Sequence, residues 1–525
     1  MNGNKRSVKK LLIISWAINS CVQFFPTHAE PILIGKTFFQ PRAQQTNAAR
    51  DLTVWYPYAL YSNAYAHNFL YTDFIAYNQS ALNGNIARAL FNTPKLVISG
   101  SQATNRADTD LLADYFGLSP EFESVITFKP RIKNITFNTG IQYNSDSFYI
   151  CVQAPVVWTN WDLVLQEEIE TPQISTPFAP GYMTQEELAP TRGSFEQAMR
   201  EPNGFGNVQE LRFGRIDNAH TKAAIANVYT ELGVFVCSTD IQEIEAYFSL
   251  SAPTGNRAKS TYLFEPIVGN GKHWEPGVGI RIATKVWERC PDQELFVYIT
   301  AHLSHLCSSK QTRSFDLLEN GYLSRYMLLK VFGENQLPTG EVVPAINITT
   351  LACKVSVDIQ ADIALMFGYR YGDCYLNAGY NGWMKSKEKI SLQDSISPNT
   401  YGLKGIQNIF SPDSAQLNNS TQHSATIFGD NFQDQDSVAD STVRFISTAD
   451  LNKKSAANPF VLTHKLFLHG AHQWSGCGLL GGMIDPYIGL GGEIEFEGIN
   501  RHSTVHRDKT TMAQWGIWLN GGMHF

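Results

Sequence analysis

The stretch 513–525 constrains this chain more than any other. Its odd positions read Ala513, Trp515, Ile517, Leu519, Gly521, Met523 and Phe525, and its even positions Gln514, Gly516, Trp518, Asn520, Gly522 and His524. A period of two sets an apolar row and a mostly polar row on opposite faces, a separation that only a strand makes. The apolar row continues to the last ring, so this face needs apolar surroundings along its whole length. An edge strand of a soluble sandwich would have to cover that ring, whereas a strand against lipid would not.

The same rhythm recurs upstream. Ile135, Phe137, Thr139, Ile141 and Tyr143 form one row, Asn144-Ser145-Asp146 turns the chain, and Phe148, Ile150, Val152, Ala154 and Val156 answer it. Further strands are expected at 224–236 and 244–250, 278–286 and 295–303, 355–367 and 376–382, then at 462–474 and 487–497. With 513–525 these make eleven, and a closed antiparallel ring takes an even number, so one more is expected near 67–79 or 125–129. The expected fold is therefore all-β, a transmembrane antiparallel β-barrel of about 12 strands with 14 as the alternative. Tight turns alternate with long loops near 159–220, 307–350 and 386–460, all falling outside if the terminal strand ends in the periplasm. Such loops would be open to protease.

Composition sets the remaining bounds. Charged residues make up 17% and aromatics 12%, the balance of a barrel with aromatic girdles, and a net charge of -7 without a basic cluster argues against nucleic acid as a partner. Lys5, Arg6, Lys9 and Lys10 precede an apolar run, and Thr27-His28-Ala29 offers a cut, so residues 1–29 are expected to be a signal peptide. A rival cut before Cys21 would make a lipoprotein, although Asn19 fits that box poorly. The seven cysteines beyond the signal are widely and irregularly spaced, and neither a disulfide framework nor a metal site follows. Residues 30–120 read as an N-terminal plug or first-strand segment and 121–525 as the barrel. Gly35-Lys36-Thr37 lacks the partner glycine of a phosphate loop.

Within the barrel, the inward rows carry the candidate chemistry. Glu493, Glu495 and Glu497 share one row, opposed by Lys465 and His469 on the preceding strand, so they either favour cations in a constriction or are braced by their neighbours. Asp358, Gln360 and Asp362 line another row, facing Tyr375, Asn377 and Asn381, while Arg281, Lys285, Glu243 and Glu245 add charges of both signs. His302-Leu303-Ser304-His305 is the best nucleophile and base candidate, but His305 falls on the opposite face and no third group is placed, so no enzyme is expected. His469 and His472 also point apart, against a metal pair, and no cofactor is expected.

Trp515, Ile517, Leu519, Met523 and Phe525 resemble the C-terminal signal of outer-membrane β-barrels, which implies outer-membrane lipid and the barrel assembly machinery as partners. The stretches Asp114-Tyr115-Phe116-Gly117-Leu118, Ala154-Pro155-Val156-Val157, Gly269-Asn270-Gly271-Lys272-His273-Trp274-Glu275, Arg313-Ser314-Phe315-Asp316 and Ser386-Lys387-Glu388-Lys389 resemble uncharacterised outer-membrane porin-like proteins of bacteria living inside other cells. The chain is also similar, more weakly, to outer-membrane long-chain fatty-acid transporters, without the Asn-Pro-Ala-Gly type motif expected near their N-terminus. No activity comes with the porin-like resemblance; from the barrel architecture, passive passage of small solutes is expected, with uptake of hydrophobic compounds or a surface adhesin or structural role as alternatives. An open lumen would favour the first, a plug with an apolar pocket the second, and a filled lumen with ordered loops the third.

Overall fold

The computed structural model describes residues 37–38, 56–57, 68–80, 95–413, 444–474, 485–497 and 514–524, apart from 105, 108, 109, 130, 145, 146, 173–175, 202, 218, 240, 291, 292, 406, 407 and 459. Its main sheet has 14 strands. Two of them are local additions: His220–Ile225 lies beside one barrel strand, and Glu388–Leu392 pairs with the outer part of another. The remaining twelve close a ring, from β1 (Asn68–Ser80), β2 (Arg131–Asn144), β3 (Phe148–Asp162) and β4 (Val228–Ser238). Around it follow β5 (Gln242–Ala252), β6 (Glu275–Cys290), β7 (Gln293–Ser314) and β8 (Thr350–Tyr371). The circuit ends with β9 (Cys374–Lys385), β10 (Val461–Gln473), β11 (Asp485–Glu497) and β12 (Gln514–His524). Neighbours in sequence pair antiparallel, and β12 closes on β1 with Gln514 opposite Ser80 and His524 opposite Phe69.

Alternation decides what each face meets. Ile141, Leu232, Val278, Ile363, Leu468 and Leu490 are exposed on the outside, while their neighbours Gln142, Glu231, Gly279, Asp362, Phe467 and Gly491 face the interior. A closed ring has no free edge, and an apolar outer belt is what lipid requires, so the chain is a transmembrane β-barrel. Inward glycines seat inward rings. A Cβ added at Gly233, Gly379 or Gly491 would lie 2.2–2.3 Å from the rings of Tyr149, Phe467 and Trp518, so only glycine lets those rings lie flat on the wall.

Of the two positions expected for the remaining strand, 68–80 joins the ring, whereas Glu123–Phe128 belongs to a separate sheet with Lys95–Ser99 and Leu165–Thr171. Of the expected unit 30–120, residues 68–80 form a barrel strand, the described part of 95–120 belongs to a structure beyond the barrel, and Thr37–Phe38 pairs with Tyr56–Pro57; the rest, like the expected signal 1–29 and Cys21, lies outside the described residues.

The long connections leave from one end of the ring, and their described residues are not separate loops. Ile98, Phe178, Met183, Ile267, Leu329, Val342, Ile346, Leu403 and Ile446, drawn from five connections, are exposed by 1% or less and share one hydrophobic core. Apolar runs such as Leu328–Phe332 cannot stay in water, so this strand pairs with Pro338–Pro344 and Tyr401–Leu403 and buries its inner face. The structure beyond the barrel is thus a folded cap. β7 and β8 run 22 residues each, twice what crosses a bilayer, and their outer ends carry Leu306, Val355 and Val357 into the cap core or beside it. The expected loop at 307–350 accordingly begins as strand.

Candidate functional site

The interior is a set of polar clusters held between neighbouring strands. The largest is centred on Arg281 of β6, whose guanidinium donates to Glu231 of β4 at 2.6 and 2.7 Å and to Glu245 of β5 at 3.0 Å. Tyr149 of β3 donates to Glu231 at 2.6 Å, and the guanidinium lies 4.2 Å from the Tyr247 ring centroid. Side chains of Arg281, Glu231 and Glu245 are 2%, 2% and 5% exposed, so this cluster is shut off from bulk water. Two carboxylates grip one cation there. Further round the ring, Ser249 bonds to His302 at 2.8 Å, and Ser304 and Gln360 both donate to Glu275 at 2.8 and 2.9 Å.

The residues expected in the lumen fall as follows. Lys465 contacts Glu493 at 3.0 Å, with both side chains fully buried. Glu495 is buried on the same row, and Glu497 ends β11 opposite Thr463, its side chain outside the described residues. Asn381 donates to Asp362 at 2.6 Å, and Asn377 bonds to His469 at 3.2 Å, which in turn bonds to Asn520 at 3.0 Å. Asp358 is a correction: it lies on the outside, paired with Lys389 at 2.7 Å. The cause is an irregularity in the β7–β8 pairing between Ser304 and Ser309, after which the buried parity of β8 changes, from Val355 and Val357 to Gln360 and Asp362. On β12, Ile517 is exposed, Trp515 and Leu519 are partly exposed, the side chain of Met523 is not described, and Phe525 lies outside the described residues.

His302, Ser304 and His305 form no nucleophile and base pair. Ser304 donates to Glu275, His302 is taken by Ser249, and the outward His305 meets the backbone oxygen of Asp358 at 2.9 Å. Cys307, Cys353 and Cys374 are free thiols.

Between interior and cap lies a second polar layer. Asn270 accepts from the His273 amide at 3.0 Å and donates to Glu275 at 3.2 Å, while Gln311 and Ser309 both donate to the Gly271 oxygen. Gly269 and Gly271, at φ of 83° and 72°, make this tight reversal possible. Arg313 contacts Glu388 at 3.5 Å and Lys385 contacts it at 3.6 Å, all three with fully buried side chains. Asn458 of the cap donates to the same carboxylate at 2.7 Å. Three of the stretches that carry the porin-like resemblance therefore meet at the mouth, and a fourth, 114–118, lies in the cap core.

The cap holds charges in a dry place. Burial raises the Asp114 carboxyl above the usual range, although Ser101 donates to it through its amide at 2.9 Å and its hydroxyl at 2.6 Å. Burial pulls Lys330 down to about 8, and its amine donates to the backbone oxygens of Asn408, Ser411 and Asp413. Lys404 is pulled well below the usual amine range by burial and by Lys330, and lies 3.7 Å from the Tyr182 ring centroid.

No family model matches the chain. No curated protein matches it either. Among solved structures it is similar to an outer-membrane channel from Pseudomonas putida F1, at 8% identity over 89% of this chain and 99% of that one, with a TM-score of 0.33. A FadL homologue of Pseudomonas aeruginosa is similar at 8% identity over 87% and 90%, with a TM-score of 0.29. The transport unit of the autotransporter AIDA-I from Escherichia coli is similar at 6% over 87% and 90%, with a TM-score of 0.31. The barrel assignment rests on strand pairing, and likenesses this distant say nothing about cargo.

Two sets of residues escaped the sequence reading. Glu231, Tyr149 and Tyr247 occupy the positions between the apolar outward residues already recognised, so the alternation itself was their signal. The cap core had a signal too, in the apolar run Leu328–Phe332 inside a supposed loop.

Proposed function

We propose that this chain is an outer-membrane barrel closed at rest, whose folded cap serves as a binding or structural surface on the outside of the cell. One observation carries this reading: inward Arg281 with Glu231 and Glu245, and Lys465 with Glu493, are bonded to one another and buried, Arg281 at 1% and Lys465 at 0% exposure, beneath long connections that share a single core. A porin that passes small solutes keeps its charges in water, and uptake of lipophiles needs an open apolar pocket, whereas these inner rows interleave bonded Glu, Arg, Lys, His and Asn with rings such as Tyr149, Phe467 and Trp518 that lie packed on the wall. The polar lining does favour one second reading, passage of small polar solutes when the cap is displaced. Export through the N-terminal signal and folding by the barrel assembly machinery, with β12 as the terminal strand, complete the proposal. Single-channel recording of the full chain in planar bilayers tests it: silence is expected, and a steady conductance in the unmodified protein would overturn the closed reading.

A further inference from the structure

Beyond the lipid belt, the outer face of β7 and β8 carries two lysines in direct register, Lys310 opposite Lys354. Both are exposed, and neither forms an ion pair among the described residues. Like charges placed directly across a strand pair repel each other. The lysines cannot turn inward, because the other face of the same strands, with Ser309 and Val355, is buried. On the adjoining strand Glu388–Leu392, Ser391 pairs with Lys354 and Lys389 with Ser356, and Lys387 just before it is exposed as well. The carboxylates nearby are already engaged: Asp358 holds Lys389 at 2.7 Å, and Asp394 accepts from the Ala352 amide at 3.2 Å.

The height of this surface above the bilayer can be read from its neighbours. Leu303 and Ile359 are the exposed apolar residues at the outer ends of the lipid-facing rows. Trp274, 51% exposed, is tied to β7 by the Cys307 amide, which donates to its backbone oxygen at 2.8 Å. An exposed tryptophan at the end of an apolar belt marks the headgroup level. Lys310 lies three residues past Cys307, about 10 Å along the strand.

We propose that Lys310, Lys354 and Lys387 form a binding surface for the phosphate groups of outer-leaflet lipid. Their repulsion is relieved when a dianionic phosphate sits between them, and long stems let the amines follow a headgroup that leans on the barrel wall. The surface shares the outward face of the lipid-facing rows and stands one polar step beyond them, past His305 and Ser308 on β7 and Asp358 and Ser356 on β8, which is why the headgroup end of a lipid is the occupant. Each lysine near an anionic surface contributes about a fivefold gain in affinity, so three contribute on the order of 100-fold at low salt.

The test uses the full chain folded into phosphatidylcholine vesicles, with a fluorescent phosphorylated glucosamine disaccharide lipid and its dephosphorylated counterpart as probes. The wild-type protein is expected to enrich the phosphorylated lipid by about 100-fold over the other at low salt, with most of the preference gone near 1 M salt. K310Q/K354Q/K387Q should abolish the preference, and K310R/K354R/K387R should keep it and serves as the folded control if the glutamine variant misfolds. Equal binding of both lipids by the wild type, or an unchanged preference in the folded glutamine variant, would overturn the proposal. Displacement of the lipid by millimolar inorganic phosphate would also overturn it, since the surface would then be a free-phosphate site. Flotation of the wild type with the vesicles separates failure of this surface from failure of the barrel reading.

Discussion

Replacing Arg281 by Met asks whether the interior is dry. The guanidinium lies within 3.0 Å of two carboxylates and within reach of two aromatic rings, and the three charged side chains are at most 5% exposed. Removing the cation while leaving Glu231 and Glu245 behind strands two buried charges, a change that costs about 3–5 kcal/mol where water is excluded. The same loss in a water-filled channel would cost about 1 kcal/mol or less. Urea unfolding of vesicle-inserted protein, followed by tryptophan fluorescence and by heat-modifiable migration, separates these values. R281M/E231Q/E245Q should recover most of the loss, because no unpaired charge then remains. A cost near 1 kcal/mol for R281M alone, with no further change in the triple variant, would refute the closed interior.

Proteinase K applied to intact cells should spare the stretches 178–183, 323–332 and 342–346, since Phe178, Met183, Leu329 and Ile346 are held in the cap core; cleavage there under native conditions would show that they are loose loops. Gly491→Ala should lower folding yield by forcing the Trp518 ring, 2.3 Å from the added Cβ, off the wall, at about 1–3 kcal/mol, and Trp518→Leu should relieve much of it. Lys330, folded near 8 and unfolded near 10.5, binds more protons in the unfolded cap between those values, so its contribution to stability grows as pH rises from 8 to 10. The gain is at most about 2–3 kcal/mol, and K330M should lose this pH response when cap opening is followed by proteolysis.

Much of the barrel was legible because lipid makes a period-two code unambiguous: one row must be apolar wherever the strand crosses, as with Leu462, Leu466 and Leu468 on β10. A slip of one residue would expose every charge on the other row to lipid. That code fails where the strand leaves the membrane. Asp358 was placed inside by extending the alternation of Gln360 and Asp362, and the irregular pairing with β7 reverses the rows just there. The cap stayed hidden for a related reason. Its residues come from connections far apart in sequence, so Ile98 and Ile446 join one core only in three dimensions.

The joint between cap and barrel determines what opening would require. Arg313 continues β7, Lys385 ends β9, and both contact Glu388, while Asn458 of the cap holds the same carboxylate. Lifting the cap would part Asn458 from Glu388 and bring to water a triad that is fully buried at rest. An opening cost near 5.5 kcal/mol already leaves only about one molecule in ten thousand open. A small solute bound equally well by both states cannot shift that balance, however concentrated it is. Only a partner that prefers the displaced cap can.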